Sequence, residues 1–301
     1  MNSRWKKYLL YASVIIIGVS LLFILIETVK AKNTGFETKT LWDWMELLII
    51  PLFLGFGAFF LNRSERNNER EIATDHQREA ALQSYIDRMA DLLLKEKLRT
   101  TKNIEVRNLA RTRTLSVLRG LDGTRKGLLL RFLYEANLID KMKLIVKLRD
   151  ADLTGADLRR ACLEGADLDN TNLTGADLTR ANLTHADIND ANLSNANLNG
   201  ADLTRANLDN TNLTGADLRR ADLSSACLEA ANLRDADLRG ASLLNADLSA
   251  TELYGTDLRD ADLYGAILYV ADLLGAKVSN EQLKGVLSLK EATMPDGTKH
   301  D

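Results

Sequence analysis

The chain is short of most things a globular enzyme of its size carries. Its 301 residues include two prolines, two cysteines and three histidines, and only 6% are aromatic. Cys162 and Cys227 cannot build a disulfide framework, which favours a reducing compartment. His76, His185 and His300 lie more than a hundred residues apart and offer no metal-ligand spacing. No nucleophile–base–acid set, phosphate loop or metal cluster is legible, so neither a catalytic residue nor a cofactor is assigned. The net charge of −3 names no partner. What remains is leucine and alanine: 46% of the residues are hydrophobic with hardly a ring among them, which points to a repetitive interior.

Long apolar runs occur only near the N-terminus. Tyr8 to Ile26 are nineteen uncharged, mostly apolar positions. As a helix they cover about 28 Å, close to the roughly 30 Å of bilayer hydrocarbon. A cleaved signal peptide is the rival reading, but the apolar core is too long and Thr28–Lys32 (TVKAK) makes a poor cleavage site. A second run, Leu47–Leu61, has fifteen residues and reaches spanning length only if Leu41–Glu46 join it. Trp42 and Trp44 would then form an interfacial belt, and a re-entrant or surface helix is the alternative. Lys and Arg lie at both ends of this pair, and Lys95–Arg131 adds eleven more against three acids. A hairpin across residues 8–61 with both termini in the cytoplasm is therefore expected, making membrane lipid the first partner. The eleven bases also suit anionic lipid heads, though a solvated helix face explains them as well.

Residues 62–79 are almost wholly polar and read as a helical stalk. From Ala80 an apolar stripe appears at helical spacing: Leu82, Ile86, Met89 and Leu93, with Tyr85 and Leu92 beside it. A second helix is expected from about Asn103 to Arg119. A third is expected to be capped by Thr124 and to bury Leu128, Leu129, Phe132 and Leu133. Residues 80–150 thus form a helical connector and N-terminal cap.

From Ala151 to Asn280 the sequence falls into twenty-six consecutive blocks of five without an insertion, beginning ADLTG, ADLRR, ACLEG. The third place is Leu in twenty-four blocks, the first is Ala in twenty-two and Thr in four, and the second is Asp or Asn in twenty. A period of five fits neither helix nor flat strand. It fits a chain that turns a corner once per block and buries the same two positions each time. Such coils must stack, because one alone cannot cover its leucines. The A(D/N)LxG blocks resemble the pentapeptide-repeat family, and residues 78–139 resemble the connector of some membrane-anchored members.

The resemblance implies a mainly β fold, a right-handed quadrilateral parallel β-helix with four blocks per coil. That helix is expected over residues 151–280, behind the transmembrane hairpin and helical connector. Residues 281–301 are read as a short helical cap, EQLKGVLSLKEA, followed by a turn-rich tail.

With four blocks per coil, every fourth block lies on one wall. The wall starting at Ala156 collects Arg159, Arg160, Arg180, Arg219, Arg220, Arg239 and Arg259, seven of the solenoid's nine arginines. The opposite wall, starting at Ala166, collects Asp167, Asp169, Asp187, Asp190, Asp209, Glu229 and Asp247 with no base. Both stripes are candidate docking surfaces, and Tyr254, Tyr264 and Tyr269 are candidate contact residues near the C-terminal end.

The function expected is a membrane-tethered, non-catalytic scaffold that offers a rigid rod to an unnamed protein partner. Its solenoid is expected to face the cytoplasm. A homo-oligomer is open, and nucleic acid is disfavoured because no recognised binding motif accompanies the basic segment. The alternative, by resemblance, is a DNA mimic directed at a DNA-binding enzyme such as a topoisomerase.

Overall fold

The computed structural model describes residues 41–140 and 143–301. The first apolar run, residues 8–26, lies outside them. The second, 47–61, falls within helix α1, Leu41–Leu94, which continues without a break through the polar stalk and the apolar stripe. Among the described residues no helix is long and apolar enough to cross a membrane. The chain divides into two compact units, Met1–Ala73 and Thr74–Asp301.

In the second unit the stripe on α1 packs slightly rotated from its expected face: Leu82 and Met89 are buried together with the flanking Tyr85 and Leu92, while Ile86 and Leu93 are only partly buried. Helix α2, Ile104–Leu118, starts where Asn103 accepts the Glu105 N–H. It buries Ala110, Thr114 and Leu118. The Tyr85 hydroxyl donates to Thr114 Oγ1 (2.8 Å), which itself donates to the Ala110 carbonyl (2.9 Å). Helix α3, Gly123–Glu135, corrects the sequence reading at two points. Its cap is Asp122, whose carboxylate accepts the Arg125 N–H, rather than Thr124. Leu128 points to solvent at 52% exposure, while Lys126, Leu129, Leu130 and Leu133 are buried.

α3 lies directly on the first coil. The Gly123 carbonyl accepts the Asp157 N–H at 2.9 Å, taking the place that a preceding coil would fill. A Cβ on Gly127 would stand 2.0 Å from the Asp157 carbonyl oxygen, so only glycine permits this approach. Lys126 Nζ donates to Asp152 Oδ1 and to the Thr154 carbonyl, both at 3.1 Å. A short antiparallel pair, β1 (Ile139–Asp140) with β2 (Lys143–Leu144), precedes the solenoid.

The solenoid is built from parallel bridges between second-place residues twenty apart, such as Asp152–Asn172–Asn192–Asn212–Asn232. The coil is therefore four blocks. Third-place leucines and first-place alanines fill the interior; Leu153, Leu173, Leu193 and Leu213 form one inward ladder, each fully buried. The four first-place threonines are buried too, and their hydroxyls donate to turn carbonyls, as Thr211 does to Ile188 O (3.0 Å).

Every backbone donor of a typical block is accounted for. Third- and fifth-place N–H groups donate to the coil that follows, Leu153 to Asn172 O (2.8 Å) and Gly155 to Thr174 O (2.9 Å). Second-place N–H groups donate back, Asn172 to Ala151 O (2.9 Å), and first-place ones close a turn, Ala156 to Leu153 O (3.0 Å). The fourth-place N–H is left over, and the second-place side chain accepts it, as Asn192 Oδ1 does from Ser194 (3.0 Å). Asp or Asn at place two is thus the fifth acceptor of the block. Fifth-place residues from Gly155 to Gly275 all have φ between 55° and 71°, the left-handed region that Gly and Asn tolerate best.

At the C-terminal end the expected short helical cap is present but covers only the start of EQLKGVLSLKEA: one turn of helix, α4 (Asn280–Leu283), with a Ser279–Gln282 capping box. Gln282 Nε2 donates to the Leu258 and Ala261 carbonyls (2.6 and 2.8 Å), closing the open coil. The chain then rejoins the ladder one residue out of step, with Ile267 bridging Ser288 and Asp272 bridging Thr293. The tail folds back so that Thr293 pairs antiparallel with Lys299.

Candidate functional site

The two predicted charge stripes lie on opposite walls, but their chemistry differs from a count of arginines and acids. On the wall starting at Ala156, four arginines fold back onto the Asp two residues earlier. Arg159, Arg219, Arg239 and Arg259 each make a two-pronged pair with Asp157, Asp217, Asp237 and Asp257, through contacts of 2.5–2.8 Å. Asp157, Asp177, Asp217, Asp237, Asp257 and Asp260 on this wall offset its seven arginines and Lys277, leaving 8 − 6 = +2. The stripe is nearly neutral. Reading the fourth and fifth places without the second concealed this.

The partner arginine, by its side-chain hydrogen bonds, holds each of these four carboxyls below the usual range, Asp257 to about 2. A carboxyl depressed on folding stabilises the fold above its unfolded value, here 3.8 for Asp257. That contribution disappears as pH falls from about 4 towards 2. Replacing Arg219, Arg239 and Arg259 together by Gln should lower Tm modestly at pH 7, since exposed pairs are worth roughly 0–1 kcal/mol each. At pH 2, where Asp257 is about half protonated, most of the gap between parent and variant should have closed. Thermal melts at both pH values check this, and a gap as wide at pH 2 as at pH 7 would mean the arginines stabilise by packing.

The wall starting at Ala166 keeps its charge. Its first two acids are neutralised: Asp167 meets Lys147 (3.2 Å) and Arg149 (3.9 Å), and Asp169 also pairs with Arg149. Asp187, Asp190, Asp209, Glu229 and Asp247 form no ion pair among the described residues. Burial, and then Asp247 and Asp187, raise the Asp209 carboxyl. Cys227 sits in the same ladder. Burial raises its thiol, with Asp209, Asp247 and Glu229 adding to the shift. Both cysteines are free and exposed.

The wall ends in apolar residues rather than acid. Tyr269 and Val270 are 42% and 38% exposed, and Tyr264 on the neighbouring wall is 67% exposed. Tyr254 stacks beneath the Arg234 guanidinium, 5.1 Å from the ring centre. Among the described residues no group of His, Cys, Asp or Glu could hold a metal ion.

The pentapeptide repeats family matches the chain in eight copies, over residues 146–175, 161–200, 196–235 and 231–268. HetL, a pentapeptide repeat protein involved in heterocyst differentiation regulation from the cyanobacterium Nostoc sp. strain PCC 7120, is 43% identical in sequence. The match covers 52% of this chain and 70% of HetL, with a TM-score of 0.48. The chain belongs to the pentapeptide-repeat family. Its coil is accordingly the family's right-handed β-helix. Rfr23, a pentapeptide repeat protein from Cyanothece 51142, is 42% identical over 28% of this chain and 58% of its own, with a TM-score of 0.28. QnrB1, a plasmid-mediated fluoroquinolone resistance protein, is 21% identical over 50% of this chain and 78% of its own, also with a TM-score of 0.28. No curated protein sequence matches this chain.

Proposed function

We propose that this pentapeptide-repeat protein is a membrane-tethered, non-catalytic scaffold that holds a rigid solenoid in the cytoplasm for a protein partner to dock on. The acidic wall is the docking surface. The observation that carries this is the set Asp187, Asp190, Asp209, Glu229 and Asp247, which makes no ion pair among the described residues, while four of the seven arginines on the opposite wall are held by that wall's own aspartates. A partner with a basic face would relieve the repulsion along that ladder and gain steering from it. The apolar length of Tyr8–Ile26 and the Lys and Arg around both runs support the tether and its orientation.

The DNA-mimic reading has less behind it, because a mimic needs acid on more than one wall and the arginine wall is close to neutral. Changing Asp187, Asp209 and Asp247 to Asn and Glu229 to Gln should leave Tm unchanged or slightly raised. Partner recovery in a crosslinking pull-down from native membranes should drop at least tenfold, and added salt should reproduce the drop in the parent protein. Undiminished recovery would exclude the acidic wall. For topology, a membrane-impermeant maleimide should label Cys162 only after cells are permeabilised; labelling of intact cells would place the solenoid outside.

A further inference from the structure

A groove of about 860 Å³ runs between α3 and the first coils of the arginine wall. Its helix side presents Leu128 and Tyr134, exposed by 52% and 43%. Its coil side presents Arg159, Arg160 and Arg180. Arg159 is committed to Asp157, and Arg131 at the groove's rim is committed to Glu135 at 2.9 Å. Arg160 and Arg180 are different: their backbone N–H groups join the ladder, but neither guanidinium makes a hydrogen bond or ion pair among the described residues.

These two occupy the same place in successive coils, so their backbones are about 4.8 Å apart, the spacing of paired strands. Both residues have left-handed backbone, with φ 57° and 56°. Arginine there gains nothing from its own turn. A Cβ on Gly200 would lie 3.7 Å from Arg180 Cγ, so the Arg180 stem rests along the next coil and leaves its head free. Like charges stacked in this way repel, and an anion lying across the two guanidinium groups relieves that repulsion.

We propose that this groove binds an acidic peptide segment of a partner protein. Carboxylates of the segment bridge Arg160 and Arg180, and an adjoining apolar side chain lies against Leu128. The exposed leucine argues for a segment with an apolar residue beside its acids, in preference to a bare anion. The groove is half-lined by a helix and open along the coil, which suits an extended chain. This site is separate from the acidic wall and stands whether or not that wall is used.

The test is fluorescence anisotropy of the full-length protein in detergent with a labelled peptide of alternating Glu and Leu. Saturable binding is expected, weakening with salt. Arg160→Gln with Arg180→Gln should weaken it at least tenfold, and Leu128→Asp should do so independently. None of these exposed residues supports the fold, so Tm should stay within about 2 °C of the parent for each variant, corresponding to less than about 1 kcal/mol. A peptide of alternating Lys and Leu should not bind. The proposal is overturned if the double arginine variant binds equally well, or if inorganic phosphate at millimolar concentration displaces the peptide fully, which would mark a simple anion site. Loss of binding to phosphatidylglycerol vesicles in the same double variant, without loss of peptide binding, would also overturn it in favour of lipid.

Discussion

Leu193→Lys is expected to break the solenoid in its middle. Leu193 is fully buried, stacked between Leu173 and Leu213 in a ladder that contains no polar side chain. An ammonium placed there has no carboxylate to meet, and the leucine's own burial, roughly 1.5–3 kcal/mol, is lost as well. The combined loss should exceed about 4 kcal/mol, or roughly 10 °C in Tm. Stacked coils are stabilised by their neighbours on each side, so the damage should spread: hydrogen-exchange protection should fall from the coil of Leu193 towards the C-terminus. The outward neighbour provides the control. Ser194→Lys should shift stability by no more than about 0.5 kcal/mol. Equal effects of the two changes on the melt would contradict the inward–outward alternation on which the fold rests.

Gly127→Ala should destabilise the protein even though alanine is the better helix former. In an exposed helix interior the change would gain about 1 kcal/mol. Here the new Cβ would lie 2.0 Å from the Asp157 carbonyl oxygen and 3.1 Å from its carbon. Both are backbone atoms of the first coil, so no rotamer change relieves the clash. α3 must lift, loosening the Lys126 contacts with Asp152 and Thr154 and uncovering the apolar side of Leu129, Leu130 and Leu133. A loss of about 2–4 kcal/mol is expected, at and somewhat above the usual range for overpacking. Gly120, whose Cβ would meet nothing closer than Val117 O at 3.7 Å, is the control and should accept alanine with little change. Were Gly127→Ala to raise Tm, the close approach of α3 to the coil would be wrong.

The interior was legible because its periodicity is unbroken. Two positions in five carry it, and they are the two that the sequence repeats most strictly. The apolar stripe on α1 was legible for the same reason. What the sequence hid depends on neighbours that are not periodic. Lys126 is buried because Asp152 and the Thr154 carbonyl lie twenty-six and twenty-eight residues away in sequence, and no local pattern announces that. The role of Gly127 is fixed by a carbonyl thirty residues later. The arginine stripe looked charged because Arg159, Arg219, Arg239 and Arg259 were read apart from the aspartate two places before each. Those aspartates in turn looked like simple turn formers, and they serve as both the turn acceptor and the ion-pair partner.

At the C-terminal end, α4 replaces a stretch of wall and its extra residue shifts the register by one. A regular repeat extended past Asn280 could not have shown that. The second-place Asp or Asn had an architectural reason from the start, and the geometry names it as the acceptor for the one leftover amide.

The uninterrupted twenty-residue coil also governs how such a chain can change by insertion and deletion. Gain or loss of twenty residues lengthens or shortens the rod and leaves every wall aligned. The recurrence of DNTNLTGADL at Asp169 and again at Asp209, forty residues on, has the form of such an event. Gain or loss of a single five-residue block keeps the leucines inside, yet turns everything downstream by a quarter revolution. Removing one block near Asn210 would bring Glu229 and Asp247 onto the wall of Asn182 and Asp202, and the acidic stripe would end at Asp209. The interior is indifferent to the number of blocks, whereas the pattern displayed to a partner counts them modulo four.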